Sequence, residues 1–96
     1  MIEVRQTERF AKWLKKLRDH QARAKINVRI RRAEMGNLGK VEPVGEGVSE
    51  MKINYGPGYR VYFVQDGEDI IILLCGGDKS DQQADIKTAK SMAKEI

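Results

Sequence analysis

Polar side chains able to handle a phosphate are concentrated in one stretch of this chain. Glu50, Lys52 and Asn54 alternate with Met51, Ile53 and Tyr55, and Arg60 and Tyr62 alternate with Tyr59, Val61 and Phe63. Alternation of period two puts every second residue on the same face of a strand. Gly56-Pro57-Gly58 between the two runs is a turn signal. A three-residue hairpin loop with Gly58 at positive φ pairs Tyr55 with Tyr59, Asn54 with Arg60 and Lys52 with Tyr62. Opposed residues share a face. Glu50, Lys52, Asn54, Arg60 and Tyr62 are therefore expected together on one side, with Met51, Ile53, Val61 and Phe63 on the other. Lys79 lies just beyond the next strand. Antiparallel sheets commonly leave one face wet, so these residues can be plain surface. The sharper alternative is a cationic, concave platform, flanked by basic helices and suited to RNA phosphate.

Other chemistries find less support. Gly45-Glu-Gly47 precedes a strand rather than a helix, and no G-x-x-x-x-G-K-[ST] run occurs, which excludes a phosphate-cradling glycine loop. No nucleophile–base pair of the usual kind is present. The single histidine, His20, falls at an expected break between helices and reads as a polar turn residue. The single cysteine, Cys75, cannot form an internal disulfide and reads as an inert core thiol at the end of an apolar strand. No Cys/His cluster offers a zinc site, so neither metal nor cofactor is expected. Trp13 sits on the apolar stripe of a helix and reads as core.

The elements that must position the polar face follow from periodicity. Residues 1–5 alternate as a short strand. Thr7 can cap a helix whose stripe is Phe10, Trp13/Leu14 and Leu17, at i, i+3/i+4, i+7. After a break at Asp19-His20, a second helix over about 21–35 places Ala22, Ile26, Ile30 and Ala33 on one face and ends at Gly36-Asn37. Residues 36–47, with four glycines and one proline, read as a loop. Ile70–Cys75 is the most apolar strand, broken by Gly76-Gly77. Ser80-Asp81-Gln82-Gln83 has the form of a capping box, opening a helix that buries Ile86, Ala89, Ala93 and Ile96. The expected class is α+β, in the order β-α-α-β-β-β-α: a small, mainly antiparallel sheet with an N-terminal αα-hairpin and a C-terminal helix.

Size and composition bound the rest. Ninety-six residues make one domain, 1–96, because a second core would have nothing left to bury. With 41% apolar and 33% charged residues the chain is globular rather than disordered. No apolar run approaches the ~20 residues needed to span a bilayer, and the first residues lack a signal-peptide core. A cytoplasmic protein is expected, with no membrane association. The net charge of +4 is uneven: residues 5–32 carry eleven basic against two acidic side chains. Such a block attracts a polyanion or an acidic protein.

Two blocks carry a family resemblance. Gly47-Val-Ser-Glu-Met-Lys-Ile-Asn-Tyr-Gly-Pro-Gly-Tyr-Arg-Val-Tyr-Phe63 and Leu73-Leu-Cys-Gly-Gly-Asp-Lys-Ser-Asp-Gln-Gln-Ala-Asp-Ile86 resemble the RelE/ParE toxin superfamily. More narrowly, they resemble its phage-derived, HigB-like "addiction module killer protein" branch. The likeness extends to Phe10–Leu14 and Gly36-Asn37, nearly the whole chain. It implies the toxin of a type II toxin–antitoxin system, with a helix-turn-helix antitoxin as partner. RelE-like members cut messenger RNA on the ribosome without metal or cofactor, the ribose 2′-OH attacking the adjacent phosphate. ParE-like members of the same fold instead poison DNA gyrase, and fold alone does not choose between them. An inactive, antitoxin-binding module is the remaining alternative.

By motif, Arg60 corresponds to the Gly-Tyr-Arg arginine that holds the scissile phosphate, Lys52 to a lysine of the preceding strand, and Lys79 to a basic residue beyond the last strand. Glu50 stands where RelE-like toxins offer a second lysine. The C-terminal tyrosine of RelE is missing, with Asp85 near its place. The expected catalytic set is Arg60, Lys52, Glu50 and Lys79, with Arg60 and Lys52 stabilising charge and either Glu50 or Lys52 as base. Tyr62 and Asn54, with Arg29 and Arg32 of the second helix, are expected to touch RNA.

Overall fold

A computed structural model describes residues 1–96. The elements are β1 (Glu3–Gln6), α1 (Glu8–Lys16), α2 (His20–Glu34), β2 (Val41–Gly45), β3 (Val48–Ile53), β4 (Tyr59–Asp66), β5 (Ile70–Asp78), a 3₁₀ turn (Lys79–Asp81) and α3 (Gln82–Ala93). The five strands form one sheet in the order β1-β5-β4-β3-β2. β1 pairs with β5 in parallel and every other pair is antiparallel. The class is the expected α+β.

Local signals explain the first half. The Thr7 hydroxyl accepts the Phe10 N–H at 3.1 Å and donates to the Leu74 carbonyl at 2.6 Å, so one side chain caps α1 and pins it to β5. Asp19 caps α2 through the N–H groups of Gln21 and Ala22, so His20 is the first helical residue rather than part of a break. Gly36, at φ +91°, ends α2 as expected. Phe10, Leu14, Ile26, Ile30 and Ala33 then pack on Met51, Ile53, Val61, Phe63, Ile71 and Leu73 as the larger core.

Expectations about loop, strand end, cap and register needed correction. The supposed loop 36–47 contains edge strand β2, where Pro43 is tolerated because an edge position need not supply a ladder donor on both sides. Gly76-Gly77 does not break β5, which runs on to Asp78. These glycines are needed for close approach: a Cβ at Gly76 would overlap the Trp13 indole, and one at Gly77 the Asp85 carboxylate. The capping box at Ser80 does not form. Asp78 instead caps the 3₁₀ turn by accepting the Ser80 N–H at 2.9 Å, and α3 begins at Gln82. Finally, Lys52 faces Arg60 and Glu50 faces Tyr62, two residues from the expected register. A shift of two preserves the faces, whereas a shift of one would have inverted them.

The sheet face opposite the hairpin is covered. α3 lies on it, closing a second core of Val48, Tyr62, Leu74, Cys75 and Ala89, with Ile86, Met92 and Ala93 at its margin. A bulge between Tyr62 and Phe63 leaves Leu74 as an extra residue in β5, so Leu74 and the next residue, Cys75, both serve this core. Ile96 lies beyond α3 and is exposed, not buried. No helix is long and apolar enough to cross a membrane.

Candidate functional site

Three cross-strand pairs of β3 and β4 form a ladder on the α3 side of the sheet: Val48 with Val64, Glu50 with Tyr62, and Lys52 with Arg60. Their character changes along the strands. The first rung joins the core under α3, the second is polar yet sealed, and the third emerges at the hairpin end. There Lys52, Asn54, Arg60 and Lys79 line a depression of about 260 Å³, closed on one side by the Gly56-Pro57-Gly58 turn and Tyr59. No carboxylate lines it.

Loop geometry builds the depression. The hairpin connection runs from Asn54 to Gly58, longer than expected, with positive φ at both Gly56 (+56°) and Gly58 (+81°). Asn54 therefore projects from the loop, not the sheet. Arg60 Nη1 donates to the Gly58 carbonyl at 2.9 Å, and its Nε lies 3.5 Å from Glu50 Oε1. Lys52 Nζ is 3.4 Å from Glu42 Oε2 on β2. Lys79 is exposed on the 3₁₀ turn. The three cations approach one opening from three segments, and their combined field favours an anion there.

Not every expected residue reaches that opening. Glu50 is 1% exposed and Tyr62 is fully buried, so the expectation of an open polar face fails at this rung. Helix α3 covers both, and Tyr62 belongs to the second core rather than to an RNA-contacting surface. The Tyr62 Oη has no hydrogen-bond partner. Burial pushes this phenol well above its usual range, and the neighbouring Glu50 carboxylate adds to the effect. Asp85, near the place of the absent tyrosine, has its carboxyl raised by burial and by Asp81 and Asp78, and its Oδ2 is unpartnered.

Arg29, expected to touch RNA, is engaged as a structural staple. Its Nη1 donates to the Lys52 carbonyl at 2.6 Å and its Nη2 to the carbonyls of Leu38 and Lys40, tying α2 to β3 and the loop before β2. Burial lowers its guanidinium from the ordinary value. Arg32 is exposed and, with the half-buried Arg29, lines a separate groove beside Ala24, Lys25 and Val28, adjoining the depression through Ile53 and Asn54. Gln82 was missed as a site residue. Its amide donates to Glu50 Oε2 at 2.9 Å, although the sequence marked it only as part of a helix start.

The profile of a family described as "Phage derived protein Gp49-like" matches residues 12–95. The chain belongs to this family. Its phage-derived character is what the motifs led one to expect. A protein of Haemophilus influenzae, itself uncharacterised, is 47% identical over 95 residues, covering 99% of this chain and 96% of the relative. Among solved structures, a mutant of Escherichia coli toxin RelE in the free state superposes with a TM-score of 0.72 at 15% identity, covering 96% of each chain. The intact E. coli RelBE toxin–antitoxin complex gives 0.63 at 17% identity, covering 81% of this Gp49-like chain and 96% of that one. At such identities the likeness establishes the fold: the RelE fold, in a Gp49-like sequence.

Proposed function

We propose that this Gp49-like protein is the toxin of a type II toxin–antitoxin pair and cleaves messenger RNA at the ribosome through the depression at the hairpin end. The observation that carries the reading is the convergence of Lys52, Arg60 and Lys79 on one opening that no carboxylate lines. In the proposed reaction the ribose 2′-oxygen bonds to the adjacent phosphorus as its proton passes to a base. The bond to the 5′-oxygen breaks, leaving a cyclic phosphate and a free 5′-hydroxyl. Arg60 spans two phosphate oxygens with its planar fork, which a lysine cannot do. Charge that builds on the phosphorane meets donors already in place. Glu50 is sealed behind Arg60, which leaves Lys52 as the base that takes the 2′-OH proton and Lys79, exposed on the 3₁₀ turn, as the acid that gives the departing 5′-oxygen its proton. Asn54, at the rim, is placed to touch a flanking nucleotide.

The partner under this reading is an antitoxin encoded beside the gene, and the place of action is the cytoplasm. A second reading has its own support: Lys52 is engaged by Glu42 and Arg60 by Glu50. Two of the three cations are thus partly neutralised, as a non-catalytic module that binds antitoxin, or a gyrase inhibitor, would tolerate. Inducing the gene and mapping transcript 5′ ends separates them. New ends inside translated codons are expected. Arrested growth with intact messages and a DNA-damage response would point to gyrase, and no growth effect at all to the inactive module.

A further inference from the structure

Glu50 and Arg60 are the buried charged residues of this protein, and they touch. Taking two charges out of water costs desolvation that an apolar pair would not incur. What the pair supplies is direction. Glu50 Oε1 lies 3.5 Å from the Arg60 Nε, an ion pair without a hydrogen bond, and Nη1 donates to the Gly58 carbonyl, so a charge contact and a hydrogen bond restrain different nitrogens of the fork. Nη2 makes no hydrogen bond within the protein, and Arg60 lines the depression. Glu50 is held in turn: its other oxygen accepts from Gln82, the first residue of α3. A chain of contacts therefore runs from the seat of α3, through a sealed carboxylate, to the free edge of the arginine.

We propose that Glu50 and Gln82 are positioning residues for Arg60: Gln82 orients Glu50, and Glu50 aims the guanidinium at the anion in the depression. The proposal rests on the nuclease reading for its kinetic consequence, but its structural half stands without it. Neither residue reaches the opening, so neither exchanges a proton with substrate. Geometry of this kind acts on the rate: a misplacement of about 1 Å can cost ~10²-fold.

The test uses Glu50→Gln and Gln82→Met in the full-length protein, in two measurements. On ribosomes programmed with a defined message, Glu50→Gln is expected to lower kcat by about 10–100-fold with KM within about twofold. Gln82→Met should move kcat in the same direction by less. The pH–rate profile should keep its shape in both. In the isolated protein, the side-chain Nε–H signal of Arg60 in ¹⁵N NMR should be sharp and slowly exchanging, and should broaden in each variant. Unchanged kcat in a folded Glu50→Gln protein would overturn the proposal. So would loss of the acidic limb of the profile, which would make Glu50 the base. An Arg60 signal indifferent to both substitutions would do the same. If Glu50→Gln does not fold, Gln82→Met carries the test, since residue 82 is only half-buried. If the wild-type protein cuts no message, the nuclease reading fails and the Arg60 signal alone decides the inference.

Discussion

Removing the charge of Arg60 should destabilise this protein far more than the loss of an arginine from an open sheet face, which would cost about 0.5 kcal/mol. Arg60 is 9% exposed and Glu50 1%. Arg60→Met keeps most of the stem's volume and deletes the cation, leaving a sealed carboxylate whose remaining side-chain donor is Gln82. Breaking a buried pair by removing one partner costs about 3–5 kcal/mol. The Nε–Oε1 separation of 3.5 Å is long for such a pair, and Gln82 stays on the other oxygen. The low end applies, ~3 kcal/mol. A chain of this length has roughly 5–14 kcal/mol in total, so the variant folds. Its Tm should fall by about 12–24 °C.

Adding Glu50→Gln removes the orphaned charge, so the double variant should recover to within about 1 kcal/mol of wild type. Urea unfolding followed by fluorescence of the single tryptophan, Trp13, measures all of this. An Arg60→Met protein within 0.5 kcal/mol of wild type, or a double variant no more stable than the single one, would refute the argument that these two charges depend on each other.

Three further outcomes follow from other parts of the molecule. Gly77→Ala should cost about 1–3 kcal/mol, or displace the start of α3, because the added methyl overlaps the Asp85 carboxylate; a crystal structure with α3 unmoved and full stability would contradict it. Burial, with Asp85 adding, raises the Cys75 thiol to about 11, against 9.0 for a free one. The folded protein therefore holds this proton more tightly than the unfolded chain, so stability present below pH 9 should decline as pH rises from about 9 towards 11; equilibrium unfolding across that range, with Cys75→Ala as control, reads the slope. Residues 5–32 carry eleven basic and two acidic side chains, so association with an acidic antitoxin should slow as salt rises; a rate flat in stopped flow from low to high ionic strength would remove the electrostatic part.

How much of this was legible in the sequence depended on whether one dimension or two decided the matter. Alternation along β3 and β4 fixed which residues share a face, and it survived a register error of two because parity is what counts. The cap at Thr7 and the stop at Gly36 are local chemistry and were readable as such, whereas Asp19, read as part of a break, is the cap of α2. β2 was not, since Pro43 and Gly45 are loop residues by every local rule and are accepted there only because an edge strand asks less of them. The burial of Glu50 and Tyr62 depended on another element altogether. Yet a signal existed: Ile86, Ala89 and Ala93 form a stripe that needs a surface, and the α1–α2 hairpin already occupies the face of Met51 and Phe63. The opposite face was the one left, and its rungs grade from Val48 and Val64 to Lys52 and Arg60. A helix seeking cover takes the apolar end of such a ladder and leaves the charged end open. The site therefore sits at the strand ends rather than across the sheet, and its middle rung became support for the arginine instead of surface for RNA.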